Sequence, residues 1–329
     1  MTVTKSLETF TDELVQRNLR GQWQAEAMLQ RAIAGPTPPG DAFVWRWDSV
    51  YGALREACTV LPRADAARRN IGFQPTGLRV RGTTHTIACG MQLVLPGEIA
   101  WAHRHSLGAL RFGIEGSEKL YTVVEGEPLV MLPNDLVLTP NWTWHDHHND
   151  GDRPGVWLDV LDVPLVAGSL NQLFFEPLGE TTQALRAALG TVVSPMRYAW
   201  RDVEPQLAAH AAATPPDPGE GIVFPYRNPV TGGATLPTLG CALQLLPAGF
   251  SGRAQRTTAS AVYHVIRGRG RLVAGESEIT WGPRDTFVVQ NWSEHRLVND
   301  AIDADALFFR VSDEPVIAAL GLLRKLPTS

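Results

Sequence analysis

The chain has 329 residues, a hydrophobic fraction of 44% and a formal net charge of −5. This length allows one large core or two medium ones, and the lack of a long Lys or Arg run argues against nucleic acid or an anionic membrane as a partner. The three cysteines are widely spaced without a CxxC pair, which favours a reducing compartment. Since the chain lacks a signal-peptide core and a run of roughly 18 apolar residues, we expect a soluble cytoplasmic protein.

The first quarter of the chain has helical patterns. Apolar side chains in residues 6–33 have helical spacing, and the Pro/Gly-rich break "GPTPPGD" follows. The next segment, "VWRWDSVYGALREACTVL", predicts an extended entry and then a helix.

Strand patterns dominate the remainder. Between about residues 77 and 165, short apolar runs alternate with Gly, Pro and Asn, as is typical of antiparallel strands in a sandwich or barrel. "TTQALRAALG" predicts a short helix, and the Pro-rich segment 194–235 predicts mostly loop. Strand patterns return from 236, and "PVIAALGLLRKL" predicts a closing helix.

The two strand-rich parts repeat each other, which predicts two copies of one β module. "NDLVLTPNWTWH" aligns with "RDTFVVQNWSEH" and "HRHSLGALRFGIEG" with "QRTTASAVYHVIRG". The matched positions are Gln92 with Gln244, Gly97 with Gly249, His103 with Gln255, His105 with Thr257, Arg111 with Tyr263, Gly116 with Gly268, Asp135 with Asp285, Trp142 with Trp292, and His145 with His295.

A histidine cluster in the first copy predicts a metal site. On a strand, His103 and His105 point to the same face, about 7 Å apart, so one cation can bind both. His145, His147 and His148 offer a third ligand. The alternative is that the HxH pair only fills surface or core. It is less favoured because a second His cluster is present.

The second copy narrows the choice of ligands. Gln255 and Thr257 replace the HxH pair there and are poor ligands for a transition metal, whereas His295 is retained. We therefore predict that the second copy has lost its metal site. Because His145 aligns with His295, the predicted metal ligands are His103, His105 and His145.

Tryptophans near this cluster allow two interpretations. Trp142, Trp144 and Trp157 are candidates for stacking against a ligand. Trp142 recurs as Trp292 in the copy without the HxH pair, so core packing is the preferred role for Trp142.

The residues around the histidines resemble the cupins. "GEIAWAHRH" fits the first cupin motif, G-x5-H-x-H, and "NDLVLTPNWTWHDHHN" fits the second, although Asn134 stands where a Gly is usual. The Glu ligand of most metal cupins has no counterpart, because Glu115 comes too late. Over nearly the whole chain the sequence resembles the bicupin gentisate 1,2-dioxygenases and their salicylate and hydroxynaphthoate relatives, most specifically in "LTPNWTWHDHHNDG" and "WLDVLDVPLV".

This resemblance implies a mainly β fold, a bicupin with two tandem double-stranded β-helix (jelly-roll) barrels, an N-terminal helical arm and a C-terminal helix. The expected divisions are an arm (1–76), a metal-binding catalytic cupin (77–180), a helix and Pro-rich connector (181–235) and a degenerate cupin without metal (236–329). A homotetramer is the expected assembly.

The resemblance also implies an Fe(II)-dependent, ring-cleaving dioxygenase of aromatic catabolism, with one iron per chain in the first cupin. Three imidazoles leave room around a metal for a 2-hydroxybenzoate and O2. Family members cleave the ring between the carbons that bear the carboxyl and hydroxyl groups, and gentisate gives maleylpyruvate. Substituted salicylates with 5-nitro, 5-chloro or 5-amino groups and 1-hydroxy-2-naphthoate are alternative substrates. A non-enzymic bicupin that binds a small acid and a zinc isomerase or hydrolase are the competing classes.

Arg111 is the main candidate outside the metal ligands. It has even parity with His105, and a buried guanidinium needs an anion. The resemblance assigns this anion to the substrate carboxylate, and an ion pair with Asp159 is the alternative. His147 is expected to hydrogen-bond the substrate or handle a proton, and a histidine that supports a ligand or lies at the surface is the alternative. His148 has opposite parity and is expected outside the cavity.

Further pocket positions follow from the resemblance. Asp159 is expected to orient a ligand or the arginine, and Gln92 to line the pocket, although the recurrence of Gln244 leaves a structural role open. Gly90 is expected to leave room for the substrate ring, and Gly90 and Ala88 to affect substrate choice. Either Arg68 or Arg69 corresponds to a family arginine that reaches the site, with Arg68 preferred.

Overall fold

The computed structural model describes residues 5–62 and 69–328. The chain divides into two compact units, Met1–Thr37 and Pro38–Ser329. Within the described ranges, no helix is long and apolar enough to span a membrane.

The first unit is helical but not continuous. The hydroxyl of Ser6 caps its first helix by accepting the N–H of Thr9 at 3.1 Å. Asn18 then adopts a left-handed conformation with φ of 55°, so the segment 6–33 with helical spacing forms more than one helix. The elements are α1 (Leu7–Gln16), a 3-10 turn (Gln22–Ala25) and α2 (Glu26–Ala32).

The second unit contains two β-barrels. The strands up to the middle of the chain are β1 (Phe43–Trp45), β2 (Asn70–Gly72), β3 (Ala88–Val94), β4 (Ile99–His105), β5 (Ala109–Glu115), β6 (Ser117–Val124), β7 (Glu127–Met131), β8 (Leu136–Thr139), β9 (His145–Asn149), β10 (Gly155–Leu161), β11 (Phe175–Pro177) and β12 (Arg197–Tyr198). The later strands are β13 (Ile222–Pro225), β14 (Gly240–Leu246), β15 (Gln255–Thr257), β16 (Ala261–Arg267), β17 (Gly270–Ala274), β18 (Ser277–Trp281), β19 (Thr286–Val289), β20 (His295–Asn299), β21 (Ala306–Ser312) and β22 (Lys325–Pro327). The helices are α3 (Trp47–Val60), α4 (Trp200–Ala213) and α5 (Glu314–Ala319), with a π-helical turn at Pro164–Ser169.

Each barrel combines a six-stranded and a five-stranded antiparallel sheet. In the N-terminal barrel the orders are β12-β8-β5-β10-β3-β2 and β11-β4-β9-β6-β7. In the C-terminal barrel they are β1-β19-β16-β21-β14-β13 and β18-β17-β20-β15-β22. The six-stranded orders correspond strand for strand, and the five-stranded orders do so when one of them is read in reverse. The sequence repeat is therefore a repeat of the fold.

Backbone conformation repeats as closely as strand order. Non-glycine residues Trp142 and Trp292 both have positive φ, at 66° and 61°. Asn134 and Arg284, each before an aspartate, both have φ of 68°. Asn134 thus supports the left-handed turn at which the cupin motif usually has Gly, because Asn tolerates this conformation better than most residues.

The two halves exchange their entry segments. β1 lies in the first half of the chain but pairs with β19 of the C-terminal barrel, whereas β12, from the connector, pairs with β8 of the N-terminal barrel. The main core runs across both six-stranded sheets, and Phe112 of β5 stacks on Phe309 of β21 with ring centroids 4.1 Å apart. Barrel membership therefore does not follow simple sequence order.

Equivalent aspartates hold both entry segments. Asp135 accepts Nη2 of Arg197 at 2.7 Å and the N–H of Trp200, the first residue of α4, at 2.8 Å. Asp285 accepts Nη1 of Arg46 at 2.7 Å and the N–H of Trp47, the first residue of α3, at 2.9 Å. Each carboxylate thus satisfies an arginine and a helix N-terminus together.

We expect Asp135→Ala to destabilise the fold more than Asp285→Ala. The Arg197 side chain is 13% exposed and would lose its partner in a largely dry place, whereas Arg46 is 48% exposed and would be solvated. The expected losses in the free energy of unfolding are about 3 kcal/mol for Asp135→Ala and about 1 kcal/mol for Asp285→Ala. Urea unfolding of both variants checks the order, and equal or reversed losses would contradict it.

Three predicted elements are wrong. The segment 181–190 is not helical, because Gln183 instead bonds to Asp146 Oδ1 at 2.6 Å and the carbonyl of Val123 at 3.1 Å. The segment 194–235, predicted as mostly loop, contains α4, since its Pro-rich ends obscured a helical centre. The closing helix ends at Ala319, before left-handed Gly321, and the chain then forms β22.

Candidate metal centre

Neighbouring strands bring three histidines together in the N-terminal barrel. His103 and His105 lie on β4, and His103 pairs directly with His145 of β9. One ring nitrogen from each of the three lies within 4.8 Å of the others. The His145 ring is 4.4 Å from that of His103 and 4.8 Å from that of His105, measured between centroids. This spacing allows all three to coordinate one ion.

Backbone carbonyls fix the orientation of all three rings. The Nδ1 atoms of His103, His105 and His145 lie 2.9, 3.0 and 3.0 Å from the carbonyl oxygens of Trp101, Leu107 and Thr143. A carbonyl only accepts, so each Nδ1 carries the proton and each Nε2 keeps its lone pair. Nε2 of His145 is buried without a hydrogen-bond partner in the described part of the chain. These observations fit a bound transition-metal ion.

Burial keeps these imidazoles neutral. It lowers the pKa of His105 to about 4, with added repulsion from His103 and Arg111. Burial also lowers the pKa of His103, and it lowers the pKa of His145 well below the usual value. Neutral imidazole is the form that ligates metal.

We expect bound metal to be retained as the pH falls from 7 to about 5 and to be released near pH 4. A lowered pKa means that protons compete with metal only at low pH, and the pKa of His105 is about 4 in the fold. Anaerobic dialysis of the iron-loaded protein across this range, with circular dichroism to verify folding, measures the release. Loss of half the iron above about pH 6 would contradict the expectation.

The site contains histidines without a carboxylate. Across residues 5–62 and 69–328, this is the one group of three or more His, Cys, Asp or Glu side chains that is close enough to hold an ion. Imidazoles suit iron, copper, nickel and zinc, so the ligands alone leave the metal's identity open.

Arg111 of β5 is buried beside the histidines. Its Nη1 donates to Thr139 Oγ1 at 2.9 Å, and its Nε lies 3.5 Å from Asp159 Oδ1. Burial lowers the pKa of Arg111, and the charge of Asp159 opposes this shift. Burial raises the pKa of Asp159, and the charge of Arg111 opposes this in turn. The ion pair considered from the sequence is therefore present, but its hydrogen-bond geometry is incomplete, since Nε and Oδ1 have no hydrogen-bond partner among the described residues.

His147 lies on the same face of β9 as His145, with ring centroids 5.9 Å apart. Its Nδ1 is 2.8 Å from Thr122 Oγ1, and the Thr122 hydroxyl donates to Met131 Sδ at 3.2 Å. Thr122 therefore accepts from His147, which leaves a lone pair on Nε2. Burial lowers the pKa of His147 well below its usual value, so this ring is also neutral. His148 points to the other face, where it pairs with Asp146 at 2.7 Å.

Comparison with known proteins identifies the family. The Cupin domain model matches residues 90–161. The chain is 41% identical to the 1-hydroxy-2-naphthoate 1,2-dioxygenase of Nocardioides sp. (strain KP7), covering 98% of this chain and 88% of the relative. It is 33% identical to gentisate 1,2 dioxygenase 1 of Aquipseudomonas alcaligenes, covering 98% and 97%. The chain belongs to this family of ring-cleaving 1,2-dioxygenases.

Solved structures agree with this assignment. A salicylate 1,2-dioxygenase from Pseudaminobacter salicylatoxidans matches with a TM-score of 0.86 and 29% identity, covering 99% of both chains. A structure of the same enzyme with gentisate matches with a TM-score of 0.83, covering 100% of this chain and 96% of the other. The bicupin fold and the enzyme class expected from the sequence are therefore confirmed.

The C-terminal barrel of this dioxygenase keeps the scaffold without the metal ligands. Nδ1 of His295 lies 3.0 Å from the carbonyl of Ser293, as in the equivalent His145. Arg310, at the strand position of Asp159, donates to Glu220 at 2.9 Å, and Lys325 also pairs with Glu220. These groups and His295 line a cavity of about 110 Å³.

The other residues expected near the pocket differ in burial and in their contacts. Gln92 is buried on β3 beside Trp157 of β10, and Ala88 is half-buried at the start of β3. Arg69 donates to Glu98 at 2.7 and 2.9 Å, so its guanidinium is committed there and not beside the histidines. Arg68 lies outside the described residues, and its expected role stays a prediction.

Gly90 lies where β2 approaches β3, and its expected role beside the substrate ring stays a prediction. A Cβ at this position would lie 2.4 Å from Oδ1 of Asn70 and 2.6 Å from the carbonyl oxygen of Ile71. A side chain at position 90 would therefore collide with β2. Gly90 is required because β2 approaches β3 so closely.

The core role preferred for Trp142 is also wrong. Trp142 is 43% exposed and contacts Phe174, with ring centroids 5.4 Å apart. Trp142 and Trp292 have the same place in equivalent turns. The N–H of Trp142 donates to the carbonyl of His105 at 2.8 Å, and the N–H of Trp292 donates to the carbonyl of Thr257 at 2.6 Å. Trp157, by contrast, is fully buried.

Sequence reasoning missed three polar residues. Asn70 Nδ2 donates to Asp159 Oδ2 at 3.0 Å, Thr139 accepts from Arg111, and Thr122 accepts from His147. Thr139 could have been found from strand pairing. Val137 of β8 pairs with Arg111 of β5, and Thr139, two residues later, lies on the same face of β8 as Val137. Asn70 and Thr122 contact their partners across 89 and 25 residues, where local spacing gives no signal.

Proposed function

We propose that the chain is an Fe(II)-dependent dioxygenase that cleaves a 2-hydroxyaryl carboxylate between the carbons bearing the carboxyl and hydroxyl groups. Both atoms of O2 enter the product, so gentisate gives maleylpyruvate. The observation that carries the proposal is the three-histidine group with free Nε2 atoms beside a buried arginine. His103, His105 and His145 would hold one iron per chain in the N-terminal barrel.

Iron bound there would supply the redox chemistry that allows O2 to react with the ring. Arg111 would bind the substrate carboxylate, because Nη1 donates to Thr139 and Nε lies beside Asp159, which leaves Nη2 available. Asp159 would keep Arg111 charged in a buried place until the substrate carboxylate binds. His147 would accept the proton of the substrate hydroxyl at Nε2, since its Nδ1 proton is bonded to Thr122. Gln92 and Ala88 would border the ring.

The relatives narrow the substrate to a class. They act on 1-hydroxy-2-naphthoate, 5-aminosalicylate and gentisate, and each of these names a carboxylate with an ortho hydroxyl. That shared group is the one that Arg111 and the metal would bind. Since identity is 41% to the naphthoate enzyme and 33% to the gentisate enzyme, we expect 1-hydroxy-2-naphthoate to be turned over at least as well as gentisate.

The test is O2 uptake after anaerobic reconstitution with Fe(II), using gentisate, 1-hydroxy-2-naphthoate, salicylate and its 5-amino, 5-nitro and 5-chloro forms. We expect ring-opened product in a 1:1 ratio to O2 from at least one compound. The Zn(II)-loaded protein and 3-hydroxybenzoate, which lacks the ortho hydroxyl, serve as controls and should give no uptake. Turnover with Zn(II), or none with Fe(II) across the panel, would refute the proposal.

We also propose a cytoplasmic homo-oligomer, with a homotetramer as the preferred assembly. All three cysteines are unpaired, which suits a reducing compartment. Exposed apolar side chains precede or lie in β11 and β22, the equivalent edge strands of the two five-stranded sheets, which supports burial against further copies. They are Leu170, Leu173, Phe174, Leu320, Leu322 and Leu326.

A further inference from the structure

Asn70 has a half-buried side-chain amide that no step of the proposed reaction uses. It lies on β2, paired with Gln92 of β3, and its Nδ2 donates to Asp159 Oδ2 at 3.0 Å. The other oxygen of Asp159 faces Nε of Arg111 at 3.5 Å. One carboxylate is thus held between an amide donor and the guanidinium.

The backbone around Asn70 accommodates this contact closely. Oδ1 of Asn70 lies 2.4 Å from the place where a Cβ on Gly90 would stand. Gly90 itself pairs with Asp159 across β3 and β10. A side chain at position 90 would therefore collide with the amide that reaches Asp159, so Gly90 and Asn70 form one arrangement.

The C-terminal barrel provides an internal comparison. Val223 of β13 pairs with Gln244 as Asn70 of β2 pairs with Gln92. There, Arg310 replaces Asp159, and Tyr263 replaces Arg111 as its cross-strand partner. The C-terminal barrel, which lacks the aspartate–arginine pair, has Val223 where the N-terminal barrel has Asn70. Asn70 therefore accompanies the pair and is not required by the fold in general.

The arginine is fixed at two points. Thr139 accepts from Nη1 at 2.9 Å, and Asp159 lies beside Nε. Oδ1 of Asp159 makes no hydrogen bond among the described residues, so Oδ1 alone does not fix the carboxylate. Rotation of the carboxylate would move Oδ1 away from Nε of Arg111. The Asn70 donor is the contact that prevents this rotation.

We propose that Asn70 is a positioning residue, which orients Asp159 and thereby aims Arg111 at the carboxylate of the substrate. This inference rests on the proposed function of Arg111. Removing the donor is expected to weaken carboxylate binding and to leave the three histidines, whose rings bond to the carbonyls of Trp101, Leu107 and Thr143, loaded with metal.

The experiment is a double-mutant cycle of Asn70→Asp, Asp159→Asn and both together. Asn70→Asp has the same shape but replaces the donor by a second carboxylate. In the double variant the amide and the carboxylate exchange places, so the hydrogen bond between positions 70 and 159 forms again. Binding of salicylate and of catechol, which lacks the carboxylate, is measured anaerobically on the iron-loaded proteins by calorimetry, together with iron content and the thermal unfolding midpoint.

We expect Asn70→Asp to weaken salicylate binding at least 10-fold and catechol binding less than 3-fold, with iron content unchanged. The double variant should regain at least half of the lost affinity on a logarithmic scale. In turnover, Asn70→Asp should raise KM more than it lowers kcat.

Unchanged salicylate affinity in Asn70→Asp, equal losses for both ligands, or no recovery in the double variant would overturn the proposal. Wild-type protein that binds salicylate but turns over no member of the substrate panel would refute the proposed reaction while leaving the cycle informative. Conversely, wild-type turnover with an unaffected Asn70→Asp variant would refute the role of Asn70 alone. Wild-type protein that binds no salicylate would overturn both.

Discussion

His145→Ala is expected to reduce bound iron from about one per chain to below about 0.1 and turnover by at least about 1,000-fold. His145 lies between the other two ligands, with ring centroids 4.4 and 4.8 Å from theirs. Two imidazoles from one strand would remain, and two neutral ligands hold a divalent ion weakly compared with three. Iron content by metal analysis and O2 uptake at saturating substrate measure the two losses.

His295→Ala is the matched control. His295 has the equivalent position in the C-terminal barrel and the same Nδ1 contact with a carbonyl, at 3.0 Å. Its neighbours are Gln255, Arg310 and Lys325, so we expect its removal to leave iron content unchanged and turnover within about 3-fold. Equal loss of iron in both variants would show that the metal is not held where we propose.

The fold of the metal-free protein should survive His145→Ala. Nε2 of His145 is a buried polar atom without a hydrogen-bond partner among the described residues, so its removal offsets part of the cost of the cavity that alanine leaves. The unfolding midpoint of the metal-free variant is therefore expected within a few degrees of the metal-free wild type. Loss of iron together with a folded protein separates a ligand from a core residue.

The histidine group was predictable from the sequence because it depends on local geometry. Alternation on a strand places His103 and His105 on one face, and the internal repeat selects His145 by its match to His295. The paired strands confirm that these three come together. Strand parity also placed His147 towards the site and His148 away from it.

The surroundings of Arg111 were predictable only in part. Parity suggested its face, and Asp159 was considered as its partner, which the structure bears out at 3.5 Å. Asn70 was missed because its contact with Asp159 depends on β2 lying beside β3 across a sequence separation of 89 residues. The same close approach excludes a side chain at Gly90, and it too depends on what lies opposite the glycine and not on local sequence.

The exchange of entry segments was likewise beyond the reach of sequence patterns. The repeat covers Asp135 and Asp285, but nothing local indicates that Asp285 binds Arg46, 239 residues earlier. Asp285 of the C-terminal barrel binds the N-terminus of α3, which precedes the N-terminal barrel in the chain. Asp135 of the N-terminal barrel binds the N-terminus of α4, which precedes most of the C-terminal barrel. A pattern identifies two copies of a module, whereas packing decides which copy receives which segment.

Arg111→Met is expected to raise KM for a 2-hydroxyaryl carboxylate by about 100-fold or more, with iron content retained. Methionine keeps much of the apolar stem and removes the charge and the planar donor groups. The loss of a buried charge-assisted hydrogen bond to a carboxylate is worth about 3 kcal/mol or more, which corresponds to this change. Steady-state kinetics on the substrate that the panel identifies measure KM, and Arg111→Lys should be intermediate because it keeps the charge without the bidentate geometry.

A second substitution separates binding from stability. Arg111→Met leaves Asp159 buried without its cation, so the pKa of Asp159 rises further and the free energy of unfolding falls by about 3 kcal/mol. Adding Asp159→Asn removes the uncompensated carboxylate and should restore most of the stability, but not the affinity, because the guanidinium is still absent. In the double variant, the free energy of unfolding measured in urea should therefore recover, whereas KM should stay raised. If affinity returned together with stability, Arg111 would be a structural partner of Asp159 and the carboxylate would bind elsewhere.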